Sequence, residues 1–298
     1  MTTTFILDRL CKECLTSVSH IGERKISPEY ILSLDSGEPL FKELVTTILN
    51  VTRYIPFDEF YNTLMAVVKR ISTPKFHLYF NTSCRKIGSE HWVTALVYPF
   101  IKDRVVSVIT NPADHSANPQ YPILFCDDAI YSGCNLCGKI DYLKNQEQYE
   151  FIIMTAYSTK SGMACIISQD FGRGITFIEN ESLTEYTDIP EITAVIQKVS
   201  DVKGIKFDNV MYKALGCNSG CVSPTYFDHK VANDFGSFIG IYLHGLTDFG
   251  QLDNRSDGNT YTGSYGLAIQ HPPCRDMIRL VESIIRDADV LDSGHHYE

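Results

Sequence analysis

An apolar run that ends in two adjacent acids and then a turn of small residues, YPILFCDDAIYSGCNLC over residues 121–137, limits the fold more than any other part of the chain. Residues 123–126 are apolar at every position and follow a proline, the pattern of a strand buried on both faces of a parallel sheet. Asp127 and Asp128 are then expected at the carboxyl end of that strand, the edge of an open α/β sheet where ligands bind. Ser132 and Gly133 follow in a turn, and residues 135–143 have the length and apolar spacing of a helix. Backbone N–H groups of such a turn point toward an anion. Strand, polar site and helix thus follow in order, with acids placed for a diol or a metal ion and a turn placed for a phosphate.

The surrounding pattern agrees. From Lys75 onward strands are predicted at 76–80, 105–110, 123–126, 151–157 and 175–179, with a helix at 90–101 between the first two. Alternation of this kind implies an α/β fold, a mainly parallel sheet with right-handed crossovers and helices on both faces. Upstream, residues 3–18, 39–53 and 57–71 carry apolar positions at helical spacing, and Ser27 and Pro28 open a further helix. Three regions follow: an N-terminal helical flank over 1–73, the core over 74–185, and a C-terminal α+β extension over 186–298. In the flank, Phe57, Phe60, Tyr61 and Leu64 share one helical face and read as core packing, as does Trp92 in the core. The extension has a polar loop or lid at 247–266 and a helix at 275–291.

With 298 residues, 44% of them hydrophobic and 21% charged, the chain can bury a large core. A formal charge of −10 argues against nonspecific binding to nucleic acid or to an anionic membrane, which requires an excess of Lys and Arg. No apolar run is long enough to cross a membrane and no signal-peptide pattern opens the chain, so a cytoplasmic location is expected. Ten cysteines are scattered through apolar surroundings and read as reduced thiols. Cys11 with Cys14 and Cys134 with Cys137 have the spacing of zinc ligands, although neither pair has the knuckle turn of such sites, and Cys217 with Cys221 is a similarly weak candidate.

The 121–137 segment resembles the ribose-phosphate signature of type I phosphoribosyltransferases through Asp127, Asp128, Ile130, Ser132 and Gly133. The resemblance implies that the chain binds phosphoribosyl pyrophosphate or a nucleotide. Asp127 and Asp128 would be the catalytic acids, holding the ribose hydroxyls directly or through Mg²⁺. Tyr131, Ser132, Gly133, Cys134 and Asn135 would hold the 5′-phosphate. Ser83, Cys84, Arg85 and Lys86, in the loop after the first core strand, would hold pyrophosphate, with Gly88 shaping the backbone and Ser89 capping the next helix. Asp228, His229 and Lys230 would form a hood over the base. Tyr157 or Ser158, at the end of a later strand, are further candidates for base or ribose contact. A homo-oligomer is compatible with such a chain.

Two functions follow from the resemblance. One is Mg²⁺-dependent transfer of the phosphoribosyl group to a nitrogenous base, in which acids stabilise positive charge on the sugar. The other is a binding or regulatory protein of the same fold that does not turn over. Tyr131 and Asn135 differ from the usual residues of the signature, and the loop at 111–120 brings no Lys or Arg to the pyrophosphate. These differences favour the second.

Overall fold

The computed structural model describes residues 39–51, 53–81, 89–114, 118–143, 145–178, 180–208, 210 and 223–227. The helices expected over 3–18, from Ser27 and over 275–291 lie outside them, as does the loop at 247–266. Helix α1 (Pro39–Val51), strand β1 (Arg53–Ile55) and helix α2 (Phe57–Arg70) open the described chain. Asp58 and Glu59 in the first turn of α2, and Lys69 and Arg70 in its last, complement the helix dipole. Its apolar face buries Phe57, Phe60 and Leu64, as the sequence pattern requires.

The sheet is built from β2 (Phe76–Tyr79), β3 (Val105–Ile109), β4 (Ile123–Ile130), β5 (Glu150–Ser158) and β6 (Gly174–Phe177). They lie in the order β3-β2-β4-β5-β6, and all neighbours are parallel. A short β7 (Glu181–Ser182) pairs with the end of β5. Helix α3 (Ser89–Ile101) carries the chain outward from β2 to β3, whereas α4 (Cys134–Asp141) and α5 (Lys160–Ile167) carry it the opposite way, from β4 through β5 to β6. Right-handed crossovers running in opposite directions place their helices on opposite faces.

The two buried clusters bear this out. Trp92 and Leu96 of α3 share one cluster with Phe60 of α2 and with Leu124 and Cys126 of β4. Leu136 and Ile140 of α4 and Ile166 of α5 share the other with Ile123 and Phe125. Successive residues of β4 therefore face opposite sides, as the pleat demands.

Helix α6 (Pro190–Lys203) starts with proline in its first turn and ends at Gly204 in the left-handed conformation, the asymmetry expected of a helix with both ends signalled. Its Ile192, Val195, Ile196 and Val199 join the cluster that holds α2 and α3. Strand β8 (Thr225–Phe227) pairs in parallel with β1, and Phe227 enters the same cluster. Segments on either side of residues 73 and 185 thus share one core with the sheet. No described helix is long and apolar enough to cross a membrane.

Strand β4 differs from its expected length. It continues through Asp127 and Asp128 to Ile130, because β5 runs on beside it and pairs Asp127 with Thr155, Ala129 with Tyr157 and Ile130 with Ser158. On its other side β2 stops early: its last pair with β4 is Leu78 with Leu124. Both acids consequently lie inside the strand but past the end of its neighbour, at the point where the strand order reverses. That reversal is where open α/β sheets form their ligand crevice.

Candidate functional site

Because adjacent strand residues face opposite sides, Asp127 and Asp128 have separate surroundings. Asp128 is fully buried, and its Oδ1 accepts the Ala129 N–H at 2.7 Å. It lies by the phenol of Tyr131, which burial and then the charge of Asp128 push well above its ordinary pKa. The Tyr131 hydroxyl donates to the Thr225 carbonyl at 3.0 Å, and its ring packs against Phe227 at 6.5 Å. The Tyr131 side chain therefore belongs to the core and ties β4 to β8; only its backbone borders the turn.

Asp127 lies between Ser89 at the start of α3 and Lys139 of α4. Its Oδ1 accepts the Ser89 hydroxyl at 2.5 Å, and its Oδ2 lies 3.6 Å from the ammonium of Lys139. The same ammonium is 3.2 Å from Glu90 Oε2. Lys139 lies well along α4, and a helical side chain leans toward the helix N-terminus, which brings its stem back over the turn. The side chains of Lys139, Glu90 and Asp127 are only 14%, 15% and 10% exposed, so water screens this bridge weakly.

Behind it, His91 is fully buried, with Nε2 donating to the Asn81 carbonyl at 2.6 Å and Nδ1 3.5 Å from Glu90 Oε1. Burial raises the Glu90 pKa, but Lys139, His91 and a backbone hydrogen bond together outweigh it and hold the carboxyl below its ordinary 4.5. Folding therefore favours the charged form. The contribution is complete above the unfolded value and is lost as pH falls through the lower folded value. Denaturation curves collected from neutral pH into the acid range should show the unmutated chain losing more stability across that window than Glu90→Gln. Parallel acid limbs would place the dependence on other carboxylates.

The turn after β4 is shaped by glycine. Gly133 has φ +78°, open to few other residues, and caps α4 without a side-chain bond. A Cβ on Gly133 would lie 2.5 Å from the Gly162 carbonyl, and one on Gly162 would lie 2.2 Å from the Tyr131 carbonyl. The first turns of α4 and α5 therefore meet at backbone distance. Thr159 locks this contact: its hydroxyl donates to the Tyr131 carbonyl and accepts the Gly162 N–H at 2.9 Å. Glu185 accepts from the N–H and the hydroxyl of Ser161 at 2.7 and 2.6 Å, occupying the α5 N-terminus. At the first turn of α4, by contrast, Cys134 and Asn135 are exposed and Ser132 is half-buried.

Other candidates face inward. Tyr157 is fully buried, with its hydroxyl 3.1 Å from Thr63 Oγ1, and Ser158 donates to Asn180 at 2.9 Å. Burial pushes the Cys126 thiol to about 12 and, with Cys165 beside it, the Cys137 thiol to about 11, so neither is a thiolate at neutral pH. Asn118 at the end of the 111–120 loop is fastened to β2, its carbonyl 2.9 Å from His77 Nε2. Ser83, Cys84, Arg85 and Lys86, together with Asp228, His229 and Lys230, lie outside the described residues.

The carboxylates of Asp127 and Asp128 do not converge on one point in this arrangement. One carboxylate is engaged by Lys139 and the other points to the opposite face; among the described residues no three His, Cys, Asp or Glu side chains gather as metal ligands. Glu90 and Lys139 are the residues that sequence reasoning missed. Both stand in unremarkable helical contexts far apart in the chain, and only the spatial order of β2 and β4 brings them together. No protein-family model matches the chain, and no curated protein matches it either.

Proposed function

We propose that this chain binds a phosphoribosyl group, as phosphoribosyl pyrophosphate or a nucleotide, at the crevice between β2 and β4, and does not transfer it. The observation that carries this reading is the pairing of Asp127 with Ser89 and Lys139. In glycosyl transfer from a phosphoribosyl donor, positive charge develops on the sugar, and a carboxylate aids the reaction through its negative field. An ammonium bound to that carboxylate cancels much of the field. Losing one such stabilising contact costs two to three powers of ten in rate, about 3–4 kcal/mol. On this reading a ground-state ligand still binds, a ribose hydroxyl donating to Asp127 Oδ2 while Oδ1 holds the Ser89 hydroxyl and the Asp128 N–H.

Further support comes from the exposed first turn of α4, where Cys134 and Asn135 stand beside Ser132 and Gly133 as the 5′-phosphate position requires.

Calorimetry with phosphoribosyl pyrophosphate should give binding that Asp127→Asn weakens; equal affinity in both proteins would remove Asp127 from the site. Replacing Arg85 and Lys86 with alanine should weaken pyrophosphate far more than ribose 5-phosphate, and equal losses would place that pair elsewhere. Incubation with the donor, Mg²⁺ and a panel of purines, pyrimidines and pyridine carboxylates should release no pyrophosphate above background. Rapid release dependent on one base would restore a transferase.

A further inference from the structure

We infer that Lys139 is the resident cation of this site, standing where a phosphoribosyl-binding crevice would otherwise hold a divalent metal ion against its acids. The inference rests on the phosphoribosyl reading for its ligand, but the exchange of an ammonium for a metal ion can be tested without one. Two carboxylates on different elements, Asp127 on β4 and Glu90 on α3, converge on the crevice. Left alone, two such groups at close range repel each other and create a demand for positive charge. Lys139 meets that demand from α4, with its ammonium 3.6 Å from Asp127 Oδ2 and 3.2 Å from Glu90 Oε2.

An ammonium and Mg²⁺ satisfy oxygen ligands differently. Mg²⁺ demands octahedral oxygen contacts at about 2.1 Å, whereas an ammonium offers three hydrogen-bond donors at longer range on a flexible stem. With Lys139 in place, a metal ion would have to displace a tethered cation that is always present at high effective concentration. The tether also fixes the ligand class. A ribose phosphate whose hydroxyls reach Asp127 and whose phosphate sits in the Ser132–Gly133 turn requires no accompanying ion, so its binding should be indifferent to Mg²⁺.

Mn²⁺ titration followed by electron paramagnetic resonance tests the exchange directly on the full chain. The unmutated protein should show no Mn²⁺ site that depends on Asp127. Lys139→Met, which keeps the apolar stem and removes the charge, should gain a Mn²⁺ site that Lys139→Met/Asp127→Asn lacks, while Lys139→Arg should remain without one. Near-ultraviolet circular dichroism checks that each variant is folded, and the unmutated measurement needs no variant at all. A Mn²⁺ site in the unmutated chain that Asp127→Asn abolishes would overturn the inference, as would a folded Lys139→Met that gains none.

Calorimetry with ribose 5-phosphate supplies the second arm. Affinity for the unmutated chain should be equal in EDTA and in excess MgCl₂. Lys139→Met should bind about tenfold more weakly in EDTA, the size of one lost charged contact, and recover with Mg²⁺. Mg²⁺-dependent binding by the unmutated chain would overturn the inference while leaving the phosphoribosyl reading intact. Failure of ribose 5-phosphate to bind either protein, alongside the gained Mn²⁺ site, would instead remove the phosphoribosyl reading and support the exchange of cations.

Discussion

Phe60→Ala is expected to lower folding stability by about 3–5 kcal/mol, the cost of truncating a fully buried aromatic ring that its neighbours cannot collapse around. The position is unusual in what it joins. Its ring centroid lies 5.7 Å from Trp92 on α3, 5.9 Å from Phe227 on β8 and 6.5 Å from Tyr157 on β5, with Phe57 of its own helix at 5.8 Å. Four elements from distant parts of the chain are packed through one side chain, and it has no exposed surface. Rigid rings on several sides leave a cavity rather than closing over it, which puts the substitution at the costly end of its class. Chemical denaturation of the purified variant measures the loss. Phe60→Leu should recover part of it, because most of the volume returns. A loss under about 1 kcal/mol would mean that α2 is not packed against the sheet as described.

The same ring shows what a sequence can reveal. Phe57, Phe60 and Leu64 recur at helical spacing, and that alone assigns them to a buried face, since periodicity is a local property. The central strands of the sheet are legible for a related reason: β2, β4 and β5 are buried on both faces and read as near-continuous apolar runs, whereas the edge strands β3 and β6 are partly exposed; the bounds found differ from those expected by a residue or two, apart from β4. There the local signal misleads. Charged residues usually end a buried strand, so Asp127 and Asp128 read as its terminus, yet the pairing of β4 with β5 continues to Ile130 and Ser158. Tertiary pairing overrode propensity.

Helix α6 carries local signals of its own, a start at Pro190 and an apolar stripe of Ile192, Val195, Ile196 and Val199. Strands β1 and β8 are three residues each and pair across most of the chain, which no local pattern encodes. The site divides along the same line. Its acids, its glycine turn and Ser89 belong to segments with local signatures. Glu90 and Lys139 do not; their roles exist only once the sheet order has brought α3 and α4 to the same crevice.

Gly162→Ala is expected to cost about 3 kcal/mol, beyond the helix-propensity gain of up to about 1 kcal/mol that a Gly-to-Ala change brings in a helix interior. The added Cβ would lie 2.2 Å from the Tyr131 carbonyl oxygen and 2.8 Å from Ile130 Cγ2. The first of these contacts is with backbone, and the backbone there cannot retreat freely: Thr159 holds the Tyr131 carbonyl through its hydroxyl and the Ile130 carbonyl through its N–H at 2.9 Å. Relief requires α5 to move away from the β4 turn. Gly133→Ala meets the same contact from the other side, 2.5 Å from the Gly162 carbonyl, and adds about 1–2 kcal/mol for a side chain at φ +78°. Since either methyl group pushes the two helix starts apart, the double variant should cost less than the sum of the single ones, a coupling that denaturation of all four proteins would measure. Additive losses would mean that the substitutions act at separate places. In the phosphoribosyl reading the displaced turn is the one that receives the 5′-phosphate, so ribose 5-phosphate should lose affinity in both single variants, even where enough stability remains for the chain to stay folded.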